Sequence, residues 1–185
     1  MRLFIAIELP DEIKKIISSL EQELKKANAD VKWVDPLNVH LTLKFLGDFP
    51  ESKIPDLKSV LDRIAQSYSK FKTSLFKLGA FPKLDYPRVI WLGLSDNCSV
   101  IEEVASKIDE GCEAFGFSRE RRAFSAHLTL GRVRSGKNKE LLKEILTSTE
   151  VTPQSFVIDK VTLFQSKLTP PKGSIYTALY SAGLK

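Results

Sequence analysis

The sequence has few of the residues that build thiol and metal sites: two cysteines, two histidines and one methionine among 185 residues. Cys98 and Cys112 lack CxxC spacing, so we expect reduced, buried and unreactive thiols rather than a zinc site or a disulfide framework. No apolar run approaches the roughly 20 residues of a membrane span. The opening MRLFIAIELPDE has too short an apolar stretch for a signal peptide. We therefore expect a cytoplasmic protein without a membrane partner.

The composition is otherwise that of an ordinary globular protein. Hydrophobic residues make up 43% and charged residues 28% of the chain, which argues against disorder and fibrous architectures. The length suits one core, so we expect residues 1–185 to form a single domain with two lobes. The net charge of +5 weakly favours an anionic partner.

Short strands alternate with amphipathic segments along the chain. Apolar residues at helical spacing predict four helices, within 11–24, 57–64, 100–108 and 141–146. Runs rich in β-formers predict strands at 2–9, 31–34, 39–46, 71–78, 89–94, 124–133, 156–164 and 175–180. Residues 79–82 and 169–173 have the glycine and proline content of loops. Several strands follow one another directly, which favours an α+β fold with largely antiparallel sheets.

The tetrapeptide HLTL occurs twice, and each copy begins with one of the two histidines, His40 and His127. The copies lie nearly half a chain length apart, in similar strand-and-helix surroundings. We infer two related lobes, each with one copy of the motif.

Strand geometry places each histidine beside a threonine. Alternate side chains of a strand share a face, so His40 lies beside Thr42 and His127 beside Thr129, while the leucines point into a core. Two opposed imidazoles, with a reference pKa of about 6.5, can serve as general acid and general base. The threonine hydroxyls can hydrogen-bond to phosphate oxygens. The arrangement suits phosphodiester chemistry without a metal or another cofactor.

Other interpretations remain open from these residues. A single histidine on a half-buried strand is usually structural, and short motifs match by chance. Two histidines without a thiol pair or HExxH need carboxylates to complete a zinc site, and no nucleophile signature accompanies them. The competing functions are a module that binds RNA ends without turnover, a metal-dependent phosphohydrolase and a phosphodiesterase for a small cyclic phosphate.

Across almost its whole length the chain resembles the LigT-like branch of the two-histidine phosphoesterase superfamily, the RNA 2′,3′-cyclic phosphodiesterases also described as 2′-5′ RNA ligases. The resemblance is carried by MRLFIAIELP, VHLTLKFLGD, FKLGAFP with RVIWLGL, RAFSAHLTLGRVR and VTLFQSKLTPPKGSIYTAL. It implies a bilobal fold with a cleft between pseudo-symmetric lobes, with helices outside. It also implies action on RNA with a 2′,3′-cyclic phosphate end, including tRNA fragments. We expect the protein to act as a monomer.

The resemblance also implies a role for each motif residue. His40 is the proton donor to the departing 3′ oxygen and His127 the base that activates water, so the product is a 2′-phosphomonoester. Thr42 and Thr129 hold the phosphate.

Arg132 is a further candidate for phosphate binding, because a guanidinium pairs with two oxygens at once. Regular alternation would turn it away from the histidines, and a bulge at Gly131 would turn it back.

Several other residues are candidates for the cleft. Alternation places Lys44 beside His40 at the cleft edge and favours a core position for Phe45, and Trp33 and Trp91 fit either a core or a base-stacking surface. The charged run 119–122 fits a solvated face, or a collector of RNA phosphates.

Overall fold

The computed structural model describes residues 1–169 and 173–185. Within these residues the chain forms nine strands and four α-helices. In chain order they are β1 (Arg2–Glu8), α1 (Asp11–Lys25), β2 (Val31–Trp33), β3 (His40–Asp48), α2 (Ile54–Ala65), β4 (Phe71–Lys83), β5 (Tyr86–Ser95), α3 (Cys98–Cys112), β6 (His127–Val133), α4 (Lys139–Ser148), β7 (Ser155–Ile158), β8 (Lys160–Thr169) and β9 (Gly173–Gly183). Among these helices none is long and apolar enough to cross a bilayer.

The strands form two antiparallel sheets, which confirms the predicted α+β fold. The first sheet has the order β3-β1-β8-β9, and the second has the order β2-β6-β5-β4-β7. The HLTL strand β3 pairs with β1, and the HLTL strand β6 pairs with β5. In each case one long helix, α1 or α3, lies between the paired strands in the sequence. β3 and β6 also contact each other, so the two motif strands are neighbours although they belong to different sheets.

The two halves of the chain exchange strands. β4 follows the first half's helices but pairs with β5 in the second sheet. β8 follows the second half's helices but pairs with β1 in the first sheet. Each sheet therefore depends on both halves of the chain.

One hydrophobic core serves both sheets. The motif leucines Leu41, Leu43, Leu128 and Leu130 are buried in it together with the apolar sides of the helices, as their spacing predicts. Burying one such side chain contributes about 1.5–3 kcal/mol. The histidines lie on the opposite face of each motif strand.

Two sequence predictions about local structure are wrong. The single strand expected at 156–164 is interrupted at Asp159, and β7 and β8 belong to different sheets. Residues 79–82 are not a loop but the end of β4, where Gly79 leaves room for the ring of Trp91 on the neighbouring strand. The strand expected from residue 124 begins at His127. The other predicted loop has its central residues, 170–172, outside the described residues.

Candidate active site

His40 and Thr42 lie on one face of β3, as alternation predicts. Their Cα partners on β1 are Glu8 and Ala6. Both motif side chains are half-buried, and Leu41 between them is fully buried. The leucines thus anchor the strand, and the imidazole and hydroxyl are left partly accessible.

β6 repeats this arrangement in the second sheet. His127 and Thr129 lie opposite Gly93 and Trp91 on β5, and Leu128 is fully buried.

The two imidazoles are held in the same way. Nδ1 of His40 lies 2.8 Å from the carbonyl oxygen of Asn38, and Nδ1 of His127 lies 2.7 Å from that of Ser125. Because a carbonyl oxygen only accepts hydrogen bonds, we assign a proton to Nδ1 of each ring. Nε2 is then the nitrogen that gains or loses a proton, and neither Nε2 has a protein partner among the described residues.

The surroundings of the two rings differ. His40 stacks on Phe4 with ring centroids 4.7 Å apart and meets the edge of Tyr176 at 5.2 Å. Phe164 also stacks on Phe4, with ring centroids 5.1 Å apart, and its centroid lies 6.2 Å from that of His40. Burial lowers the pKa of His40 below its usual value, although the hydrogen bond to Asn38 opposes the shift. The free protein therefore favours a neutral His40.

His127 has a different aromatic neighbour, Phe81, which approaches it edge-on at 5.1 Å. Phe81 also contacts Trp91, with centroids 5.3 Å apart. The Trp91 ring lies over two glycines, since a Cβ on Gly79 would come within 2.2 Å of its Cζ2 atom and a Cβ on Gly93 within 3.0 Å of Cζ3. Trp91 therefore lies on the same face of the sheet as His127 rather than in the core.

Sequence reasoning named Trp91 but missed the aromatic residues that contact the histidines directly. Phe4, Phe164 and Tyr176 form a small apolar cluster separate from the main core. Alternation in β1 could have found Phe4, whose side chain faces away from the buried Leu3 and Ile5. The partners from β8 and β9 depend on long-range pairing that no local pattern shows.

A pocket of about 180 Å³ opens beside His40. Its lining includes Glu8, Lys14 and Tyr176. Glu8 is held by Lys160 at 3.1 Å and by the Thr162 hydroxyl, which donates to it at 3.2 Å.

The motif threonines have hydroxyls available for a ligand. In residues 1–169 and 173–185, no hydrogen bond of the structure involves the side chain of Thr42 or Thr129. Both are half-buried, on the same faces as the neighbouring imidazoles. Each hydroxyl is thus free to donate to a ligand on the same face as its histidine.

A bulge follows the threonine in each motif strand. On β3, Thr42 pairs with Ala6 and Lys44 with Ile5, so Leu43 is an extra residue. On β6, Leu130 is the extra residue. Each bulge shifts the alternation by one residue.

The bulge on β3 overturns two predictions. Lys44 is not at the cleft edge but buried, with its ammonium paired to Asp109 of α3. Phe45 is not in the core but 65% exposed, beside Phe4 on the histidine face. Trp33, by contrast, packs against the main core.

The bulge on β6 brings Arg132 to the face of His127. Arg132 pairs with Val89, whereas Thr129 pairs with Trp91 two residues further along β5. Directly opposed residues of a sheet share a face, so Arg132 shares the face of Thr129. It is exposed, and Lys32 of β2 lies directly opposite.

The charged run 119–122 is divided between two environments. Arg119 is engaged with Glu113 at 2.9 Å and with Glu110 at 3.5 Å. The amide of Glu120 donates to Asp109 at 2.9 Å. Arg121 and Arg122 are exposed.

No three His, Cys, Asp or Glu side chains converge as a metal site within the part of the chain that the structure describes.

Comparison with known proteins identifies a family over most of the chain. The family described as "LigT like Phosphoesterase" matches residues 7–91 and again residues 92–176. Each match contains one HLTL motif.

Curated relatives cover nearly the full length. The RNA 2′,3′-cyclic phosphodiesterase of Methanothermobacter thermautotrophicus is 35% identical over 96% of this chain and 95% of its own. That of Methanocaldococcus jannaschii is 37% identical over 97% and 98%. The crystal structure of TT0787 of Thermus thermophilus superposes with a TM-score of 0.80 at 27% identity, over 100% of this chain and 98% of that one.

Proposed function

The chain belongs to the LigT-like phosphoesterase family, and on that basis we propose that it hydrolyses 2′,3′-cyclic phosphate ends of RNA to 2′-phosphomonoesters. Near-full-length relatives carry the name RNA 2′,3′-cyclic phosphodiesterase, and the site has the groups that this reaction needs. No step of the proposed reaction uses a metal or another cofactor.

The main support for the proposal is that the same backbone hydrogen bond orients both imidazoles. Both rings donate Nδ1–H to the carbonyl two residues earlier, which leaves Nε2 as the nitrogen that exchanges a proton. A binding module needs donors for a phosphate. It does not need two nitrogens that can each take up and release a proton.

The proposed reaction is an in-line displacement at phosphorus. Nε2 of neutral His127 takes a proton from water as the water oxygen bonds to phosphorus. The bond from phosphorus to the 3′ oxygen breaks, and Nε2–H of protonated His40 donates to that oxygen. The phosphate remains on the 2′ oxygen, and the exchange of one proton between His127 and solvent and one between His40 and solvent restores the free protein.

The remaining motif residues bind the substrate in this proposal. The Thr42 and Thr129 hydroxyls donate to the non-bridging oxygens, and Arg132 contributes a guanidinium to binding. The negative phosphate opposes the effect of burial on His40, because a nearby anion favours the protonated imidazole. Substrate binding thus charges the acid that the reaction requires.

The 5′ hydroxyl of a second RNA in the place of water would give a 2′-5′ linkage by the same proton transfers, with the 3′ oxygen as leaving group, so 2′-5′ RNA ligase activity is part of the proposal. We also propose that residues 1–185 act as one bilobal domain and as a monomer, since a single chain supplies both motifs. RNA ends in the cytoplasm, including tRNA fragments, are the proposed substrates.

The test is incubation of the purified protein with a short RNA that ends in a 2′,3′-cyclic phosphate, followed by analysis of the terminus. The expected product is a 2′-phosphate. A 3′-phosphate would exchange the roles of the histidines or reverse the bound substrate. Tight binding of the RNA without turnover would overturn the proposal in favour of a binding module, and turnover of small cyclic phosphates alone would assign a different substrate.

A further inference from the structure

Two cations stand side by side on the catalytic face of the second sheet. Lys32 on β2 and Arg132 on β6 are direct Cα partners. Arg132 shares its face with Thr129 and His127, because their partners Val89, Trp91 and Gly93 alternate along β5.

Packing on the other face gives an independent check on this orientation. A Cβ on Gly131 would come within 2.7 Å of Cγ1 of Val31 and 3.0 Å of Cε3 of Trp33. Val31 and Trp33 both pack against the main core. Lys32, between them in the strand, therefore points to the catalytic face.

The electrostatics of this pair are unfavourable in the free protein. Like charges directly opposite each other in a sheet destabilise it. Both side chains are exposed, and neither takes part in an ion pair within residues 1–169 and 173–185, although ten ion pairs form elsewhere there. An anion between the two would remove the repulsion and bind both cations.

The position of the pair along β6 indicates which anion this is. Arg132 lies three residues beyond Thr129, no more than about 10 Å along a strand. A phosphate held by Thr129 thus has a second phosphate site within one nucleotide step. In an RNA with a 2′,3′-cyclic end, the next phosphate is the one on the 5′ oxygen of the same nucleoside.

We propose that Lys32 and Arg132 form a subsite for this non-reacting 5′ phosphate. The inference rests on the proposed function and makes it more specific: the preferred substrate is a polynucleotide end, or a 5′-phosphorylated nucleotide, rather than a bare nucleoside cyclic phosphate. Lys32 acts in binding and has no part in proton transfer.

The test compares two substrates that differ only in the 5′ phosphate: adenosine 2′,3′-cyclic phosphate and its 5′-phosphorylated form. The full chain, Lys32→Gln and Arg132→Gln are assayed at several salt concentrations. The matched control is Lys53→Gln, the same charge change at an exposed lysine ahead of α2. Thermal unfolding checks that each variant folds.

The unsubstituted chain should have the lower KM for the 5′-phosphorylated substrate. Lys32→Gln should raise that KM about two- to five-fold, the range for one exposed charge contact, and leave the KM for adenosine 2′,3′-cyclic phosphate unchanged. Its salt dependence should weaken by about 0.7 in the logarithmic slope. Arg132→Gln should raise the KM of the 5′-phosphorylated substrate more than that of the other, and Lys53→Gln should change neither.

Two outcomes would overturn the inference, and they are distinguishable. Turnover of both substrates with equal KM, or an equal effect of Lys32→Gln and Lys53→Gln, overturns the subsite and leaves the proposed function standing. Turnover of neither substrate, and of no longer RNA, overturns the proposed function and the subsite with it.

Discussion

The two histidines share one backbone contact and differ in their surroundings. Each ring has its Nδ1 on a carbonyl two residues earlier. His40 lies in an aromatic group of Phe4 and Tyr176, whereas His127 has Phe81 at its edge. An identical tetrapeptide therefore places two imidazoles in different aromatic surroundings, and the proposal assigns a different role to each.

We expect His40→Ala and His127→Ala each to lower kcat about 10²- to 10⁴-fold, the usual contribution of a positioned acid or base. The double variant should be little worse than either single one, because both groups act in the same transition state. Steady-state assays on a cyclic-phosphate RNA measure kcat, and single-turnover assays show whether the loss lies in the chemical step. Full activity in either single variant would remove that histidine from the mechanism.

The lowered pKa of His40 gives a pH prediction. With only two histidines in the chain, the imidazole Cε1–H signals can be followed by NMR and assigned with one variant. His40 should titrate below the usual value of about 6.5, and bound phosphate should raise its pKa. A His40 that titrates at or above the usual value in the free protein would contradict this.

The lowered pKa of His40 also affects the pH dependence of turnover and of stability. As the proton donor, His40 would set the limb of the kcat/KM profile that falls as pH rises, and place it below the usual imidazole range. His127→Ala should remove the acidic limb and His40→Ala the basic one.

The lowered pKa also makes stability depend on pH. Because the imidazole of His40 binds a proton more tightly in the unfolded chain, its contribution to the free energy of unfolding is complete above about pH 6.5 and decreases as the pH falls.

Among the elements, the bulges in β3 and β6 decide which residues join each histidine. One extra residue, Leu43 or Leu130, turns the next side chains over. The residue three positions after the motif threonine then lies on the histidine face, and it is Phe45 in the first sheet and Arg132 in the second. The first sheet thus presents an apolar surface beside its motif, and the second a cationic one.

A substitution at Gly79 tests whether the packing between β4 and β5 positions His127. In Gly79→Ala the new Cβ would come within 2.2 Å of Trp91 Cζ2, which must move the ring and with it Phe81. We expect a loss of about 1–3 kcal/mol in the free energy of unfolding, as for overpacking, and a lower kcat. Denaturant unfolding and turnover measure the two effects.

Gly136→Ala is the control, because a Cβ there meets nothing within 4 Å. It should leave both quantities nearly unchanged. A Gly79→Ala protein with the stability and turnover of this control would show that Trp91 does not position the site.

Local patterns predicted much of this arrangement and failed where distant segments meet. Period-2 alternation placed His40 and Thr42 on one face and the leucines in the core, because each strand has one buried side. The same rule misplaced Lys44 and Phe45, since a bulge arises from pairing with β1 and leaves no mark in β3. The break at Asp159 was missed for a similar reason: β7 and β8 differ in their partners, not in composition.

For the molecule as a whole, we predict that catalysis survives exhaustive chelation. Both histidines are assigned to proton transfer, so no ordinary ligand set remains for a catalytic metal. The measurement is turnover of a cyclic-phosphate RNA after treatment with a chelator. Activity that is lost and then restored by one divalent ion would favour a metal-dependent phosphohydrolase.

The exchange of β4 and β8 makes the protein a natural candidate for a split enzyme. A cut in the turn between β4 and β5, after Leu84, separates the two histidines onto two fragments. Fragment 1–84 still carries β4, which pairs with β5 and β7 of the other fragment, and fragment 85–185 carries β8, which pairs with β1. Each fragment alone should be unfolded and inactive. A mixture should regain strand content and turnover together, by circular dichroism and assay, as two chains that complete each other's sheets.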